Sequence, residues 1–184
     1  MTPYFKHFRI DGYSAIALYR YDDIIKKLIF QFKGCKDIEL KNAFLDPFRF
    51  ELKLRFFSYH LVPLPSSEKS DLERGFNHVI EIFKCLNLPF ENVLYKKKDH
   101  KQSDGHFKDR LNVDKVIDIK NGDSLKDKNI LIVDDVCTTG SSIRAAINLI
   151  KNYKPKRIKI LIIAKRDFTE EELKILGDTI PVLK

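Results

Sequence analysis

The chain has 184 residues, 43% hydrophobic and 33% charged, with only 7 Gly and 7 Pro. This composition supports one well-cored domain and argues against long disordered linkers. The formal charge of +8 favours phosphorylated or polyanionic partners through long-range attraction, although a solvated lysine-rich surface gives the same balance.

The opening stretch, "MTPYFKHFRI", has no apolar core of the kind a signal peptide needs. No apolar run approaches the roughly 20 residues required to span a bilayer. Cys35, Cys85 and Cys137 stand alone with no Cys-x-x-Cys pair, which supports neither a zinc ribbon nor a disulfide framework and fits a reducing cytoplasm. "YSAIALYRY", residues 13–21, mixes aromatic and β-branched residues and is expected as a strand. A helix follows, with Asp22 as its cap, Ile24, Ile25, Leu28, Ile29 and Phe32 at helical spacing, and Gly34 as its stop. Residues 37–57 continue in helical style, interrupted by Pro47. "YHLVPLP", residues 59–65, is a short strand stopped by prolines. Residues 68–87 are expected as a helix carrying Leu72, Phe76, Val79, Ile80 and Phe83 on one face.

"NVLYK" (92–96) is the next expected strand. The polar, poorly periodic stretch 96–112 after it is long for a loop in a compact domain, and such loops are often functional. Strands at 115–120, 129–135 and 157–165 and a helix at about 141–153 complete the chain. Apolar strands alternating with helices imply an α/β fold, a parallel sheet flanked by helices, with ligands at the carboxyl ends of its strands. Residues 1–56 are expected as an N-terminal strand–helix extension packing on a core of residues 57–184.

The stretch "ILIVDDVCTTGSS" carries the chemistry. Asp134 and Asp135 end an apolar strand side by side, where each raises the other's cost of ionisation. Thr138, Thr139, Ser141 and Ser142 add hydroxyl donors, Gly140 allows close backbone approach, and a helix N-terminus offers unpaired N–H groups to an anion. The turn suits one phosphate, and the carboxylates suit sugar hydroxyls; a ribose carrying a 5-phosphate satisfies both. A receiver domain places its acidic pair near its start with most of a domain after it, unlike here. A Walker loop needs a Gly-Lys-Ser/Thr that is absent. A plain strand followed by a threonine-rich cap explains the turn but not the paired aspartates.

"ILIVDDVCTTGSSI" resembles the phosphoribosyl diphosphate (PRPP) signature of type I phosphoribosyltransferases. The resemblance implies that Asp134 and Asp135, the catalytic candidates, contact the ribose 2- and 3-hydroxyls and that Thr138, Thr139, Gly140, Ser141 and Ser142 wrap the 5-phosphate. "LVPLPSSEKSDLERGFNHV" and "YRYDDIIKKLIFQFKGCKD" are similar to blocks of the ComF/GntX group of competence-associated phosphoribosyltransferase-like proteins. The pairing of Gln102 with Arg110 matches a further feature of that group. The turn "PLPSS" then offers Ser66 and Ser67, with Arg74, to the pyrophosphate, and the loop carrying Lys98, Gln102 and Arg110 is expected to close over the site. His78 stands where that group usually has Gln, and no four-cysteine zinc module is found.

The expected ligand is PRPP with its magnesium, held mostly by PRPP itself. Two functions are compatible with that site. One is a PRPP-binding ComF-type protein acting in DNA uptake and natural transformation, with single-stranded DNA and competence proteins as partners and the lysines 96–98 as phosphate contacts. The other is an active phosphoribosyltransferase in nucleotide metabolism or salvage with an unassigned nitrogen acceptor, for which Lys165 and Asp167 are weak base contacts.

Overall fold

The computed structural model describes residues 4–34, 38–66, 75–97 and 117–167. It opens with a hairpin that the sequence reading did not anticipate: β1 (Lys6–Ile10) pairs antiparallel with β2 (Tyr13–Arg20). Asp11 and Gly12 turn the chain with φ of 49° and 83°, the left-handed pair that matches the twist of the flanking strands. Helix α1 (Asp23–Gly34) starts where the Asp22 carboxylate accepts the backbone N–H of Ile25 at 2.9 Å. It buries Ile25, Ile29 and Phe32 along one stripe.

Residues 38–55 fold into short pieces. Helix α2 (Lys41–Leu45) and helix α3 (Arg49–Arg55) are separated by a 3-10 turn containing Pro47, whose missing N–H and ring cannot continue an α-helix. Strand β3 (Tyr59–Pro63) follows. The expected helix over residues 68–87 is much shorter in its described part. Helix α4 (His78–Phe83) starts late because the Asn77 side chain caps it, accepting the N–H of Ile80 at 3.0 Å, while Gly75 takes a left-handed φ of 81°. Phe76 therefore precedes the helix, and its ring packs 5.4 Å from that of Phe32; Leu72 lies outside the described residues.

Strands β4 (Leu94–Lys96) and β5 (Ile117–Ile119) form a separate antiparallel pair. Strand β6 (Asn129–Cys137), helix α5 (Ser141–Ile150) and strand β7 (Arg157–Lys165) close the described chain. The main sheet runs β1-β2-β7-β6-β3, parallel throughout except for the β1 edge. Residues 4–56 thus contribute two of its strands and three helices. One core lies between the sheet and α1 to α4, the other between the sheet and α5 with the β4–β5 pair.

This topology leaves a gap at one place. Strand β3 stops pairing at Pro63 opposite Val133, so Asp134 onward have a strand partner only in β7. The chain continues through Leu64, whose N–H donates to the Val133 carbonyl at 3.0 Å before the path leaves the sheet. A cleft opens there, beside the carboxyl end of β6.

Phe32 ties α1 to this frame: its side chain is fully buried and its ring packs against Phe44 and Phe76. Phe32→Ala is expected to lower stability by about 3–5 kcal/mol. Urea unfolding checks this as a fall in midpoint with unchanged slope.

Candidate functional site

At the end of β6 the backbone itself is altered. The Asp134 carboxylate accepts the N–H of Asp135 at 2.9 Å, and the Asp135 carboxylate accepts the N–H of Val136 at 2.9 Å. Side chains thus take donors that a regular ladder would use. Successive strand residues point to opposite faces, so the adjacent carboxylates meet different surroundings. Asp135 is buried and forms an ion pair with Lys33 of α1, while His78 at the start of α4 brings its Nε2 to 3.6 Å. Asp134 is partly exposed and has no ion-pair partner among the described residues.

The two acids are therefore driven apart in acidity. Burial resists ionisation of Asp135, yet the His78 imidazole and the Lys33 ammonium outweigh it and hold the carboxyl well below the usual carboxylate range. Burial, and then the negative charge of Asp135, push the Asp134 carboxyl well above that range. The pair carries one firmly ionised carboxylate and one that holds its proton more tightly than a free aspartate.

The turn after β6 is preorganised. Gly140 has a left-handed φ of 76°, which a residue with a Cβ adopts only at a cost of about 1–2 kcal/mol. The hydroxyls of Thr139 and Ser141 share a hydrogen bond at 2.8 Å, and Arg144 donates to the Thr139 carbonyl at 2.9 Å and to Asp11 at 3.2 Å. Helix α5 starts directly behind, with its first N–H groups and positive dipole end at the turn. The Cys137 thiol is pushed up to about 11, by burial first and then by Asp134, which leaves it protonated at neutral pH and no nucleophile.

Asp134, Asp135, Ser142 and Ser66 come together around a cavity of about 280 Å³, whose walls include Lys33, His78, Lys96 and Ile117. Asn77 donates to the Ser66 hydroxyl at 3.3 Å. Thr138 is exposed at the outer side of the turn, and Thr139 and Ser141 are half-buried within it. Ser67, Arg74, Lys98, Gln102 and Arg110 lie outside the described residues. Lys165 and Asp167 form a separate cluster: the Asp167 carboxylate receives the Tyr4 hydroxyl at 2.7 Å, Lys6 at 2.8 Å and Lys165 at 3.0 Å. Burial opposes its ionisation, but the Lys6, Tyr4 and Lys165 donors prevail and hold it below the usual range.

Sequence reasoning missed Lys33 and gave His78 no role. The signal for Lys33 was present in the "FQFKG" segment, where a lysine follows the buried Phe32 directly in the last turn of an amphipathic helix. Among the described residues no group of three or more His, Cys, Asp or Glu is placed to hold a metal.

The profile of the phosphoribosyl transferase domain matches residues 73–177. The chain belongs to this family. Competence protein ComFC of Bacillus subtilis is 33% identical to it over 132 residues, 71% of this chain and 55% of that protein. Competence protein ComFC of Streptococcus pneumoniae is 28% identical over 148 residues, 80% of this chain and 66% of that protein. Within the family the chain is ComF-like, and it spans 55% and 66% of the length of these two relatives. Among solved structures, a purine phosphoribosyltransferase from Pyrococcus horikoshii superposes with a TM-score of 0.44 at 22% identity, covering 71% of this chain and 76% of that one.

The opposed acidities give a paired prediction. A carboxyl whose folded pKa is depressed contributes stability above its unfolded value of about 4 that is lost as pH falls; a raised one contributes stability below about 4 that is lost as pH rises. Asp135→Asn is expected to cost about 1–3 kcal/mol at pH 7 and less as pH falls below about 4. Asp134→Asn is expected to stabilise by about 1 kcal/mol at pH 7 and to lose that gain near pH 4. Urea titrations at both pH values check the opposite signs.

Proposed function

We propose that the chain binds PRPP with magnesium in the cavity at the end of β6, and that it serves as a ComF-type cytoplasmic protein of DNA uptake. The observation that carries this reading is the placement of Asp134 and Asp135 beside a hydroxyl-rich turn that opens helix α5. In this reading the 5-phosphate takes the N–H groups and hydroxyls of residues 138–142, and the carboxylates accept the ribose hydroxyls. Ser66 and Lys96 face the same cavity and provide donors for the diphosphate. Lys96 has no ion-pair partner among the described residues, which leaves its charge available to a ligand.

Asp135 is already neutralised by Lys33, so the donor set suits a magnesium ion that arrives on the diphosphate rather than one caged by the protein. When bound, the ion supplies charge neutralisation to the leaving diphosphate. The chain's own contribution is to orient the ribose and to hold the phosphates.

Calorimetric titration with PRPP and magnesium tests the site. The wild type is expected to bind, and the Asp134→Asn, Asp135→Asn double variant is expected to lose at least tenfold in affinity; unchanged affinity would sink the assignment. Ribose hydroxyls donated to Asp134 favour its ionised form, so binding is also expected to release a proton. That release appears as an enthalpy that changes with the ionisation enthalpy of the buffer, and it is absent from Asp134→Asn.

The role in DNA uptake is supported by the ComF-like relatives, the net charge of +8 and the run Lys96, Lys97 and Lys98. Binding of single-stranded DNA is expected to fall steeply with salt, with a shallower slope when these three lysines become Ala. Absence of binding at low salt would remove this part of the reading. Turnover of PRPP onto a nitrogen acceptor is the second reading, and it needs a place for the acceptor.

A further inference from the structure

Helix α1 buries one stripe and leaves another that is far from inert. Phe30 is 68% exposed. Its ring offers an aromatic face to whatever docks beside it. Phe30 stands on the wall of a second cavity of about 910 Å³, with Tyr21, Ile29 and Val136 as further apolar walls. This cavity is an open, largely apolar groove along the exposed face of α1, large enough to take a small ring.

Two features set the chemistry of an occupant. Lys33 borders both cavities, and Val136 follows Asp135 directly in β6, so the second cavity adjoins the sugar-phosphate cavity. The charge on its walls is also one-sided. Among the described residues that line it, Lys26, Lys27 and Lys33 stand against the carboxylate of Asp23. Lys33 is engaged with Asp135, but Lys26 and Lys27 have no ion-pair partner among the described residues.

We infer that this cavity binds a flat aromatic ring bearing a carboxylate, and that such an anionic ring is the nitrogen acceptor of the neighbouring site. The acceptor role rests on the PRPP reading above; the binding of the ring does not. The ring lies against Phe30 and Tyr21, where aromatic stacking adds to area burial, and the carboxylate meets Lys26 and Lys27. In the transfer, a ring nitrogen lone pair forms the bond to C1 of the ribose while the C1–oxygen bond breaks. Pyrophosphate keeps the electron pair of that broken bond, and any N–H proton passes to solvent. A neutral purine would leave the lysines without an anion, so the charge pattern selects against it.

Matched isosteres provide the test. Pyridine-3-carboxylate and benzoate are titrated against pyridine-3-carboxamide and benzamide, by calorimetry or saturation-transfer NMR, with and without magnesium and PRPP. The carboxylates are expected to bind at least tenfold tighter than the amides. Lys26→Gln with Lys27→Gln is expected to abolish that preference while leaving the PRPP titration unchanged, and Phe30→Ser is expected to weaken both classes at least threefold. Equal binding of acid and amide, no binding of either, or a preference that survives the lysine changes overturns the inference. If the carboxylates bind selectively but PRPP does not, the pocket stands and the acceptor role falls with the sugar-phosphate reading. If PRPP binds but no carboxylate does, the sugar-phosphate reading stands and both parts of this inference fall.

Discussion

The charge pair between Asp135 and Lys33, with His78 beside it, is the contact through which the site and the fold constrain each other. A carboxylate buried to this degree is tolerated only with a partner, because desolvation of an unpaired charge costs several kcal/mol. The partner comes from α1, near the start of the chain, and the imidazole comes from α4. Both helices thus meet at one acid over the end of β6. Their apolar faces do the larger share of the work: Ile25, Ile29 and Phe32 of α1 and Val79, Ile82 and Phe83 of α4 belong to the same core. The ion pair adds placement to that adhesion, because it fixes where the polar end of α1 must lie.

The sheet supplies the remaining geometry. Four parallel strands bring their carboxyl ends to one edge, and early termination of β3 opens the space beside Asp134 and Asp135. At the same edge the Asp167 cluster ties Tyr4 and Lys6 to the end of β7, joining the two ends of the described chain. The clefts thus sit where backbone pairing runs out and where loops and helix termini take over the hydrogen bonding. Such places carry function because a rigid scaffold holds groups that are not committed to the ladder.

Much of this was legible in the sequence wherever a local pattern determined the outcome. The strands β2, β3, β6 and β7 and the helices α1 and α5 follow from apolar periodicity and from punctuation by Asp22, Gly140 and the prolines. The paired aspartates and the hydroxyl turn were legible as a candidate site because their chemistry is contiguous in the chain. The β1–β2 hairpin was missed although Asp11-Gly12 is a strong turn signal, because β1 alternates His7 and Arg9 with only two buried residues, Phe8 and Ile10. The late start of α4 was missed because a capping Asn77 competed with an apolar periodicity that ran through it. Lys33 and His78 as partners of Asp135 were beyond reach for a different reason. The pairing joins elements far apart in sequence, and no local pattern encodes which helix packs over which strand end.

The local split in acidity also bears on the proposed placement of phosphates beside two carboxylates. Full ionisation of both would set two negative charges against the anion at short range, and the hydroxyls of residues 138–142 would be poor compensation. Burial and the charge of Asp135 push Asp134 toward its neutral form and Asp135 is matched by Lys33, so Lys96 is the cation without an ion-pair partner among the described walls of the cavity. The described cavity walls are therefore less negative than the acidic sequence signature suggests. Under the proposed PRPP reading, a phosphate would meet less repulsion than two free carboxylates impose, and ribose hydroxyls donated to Asp134 would favour its ionised form. The pleat of a single strand, by sending one acid toward Lys33 and the other away from it, makes both requirements compatible.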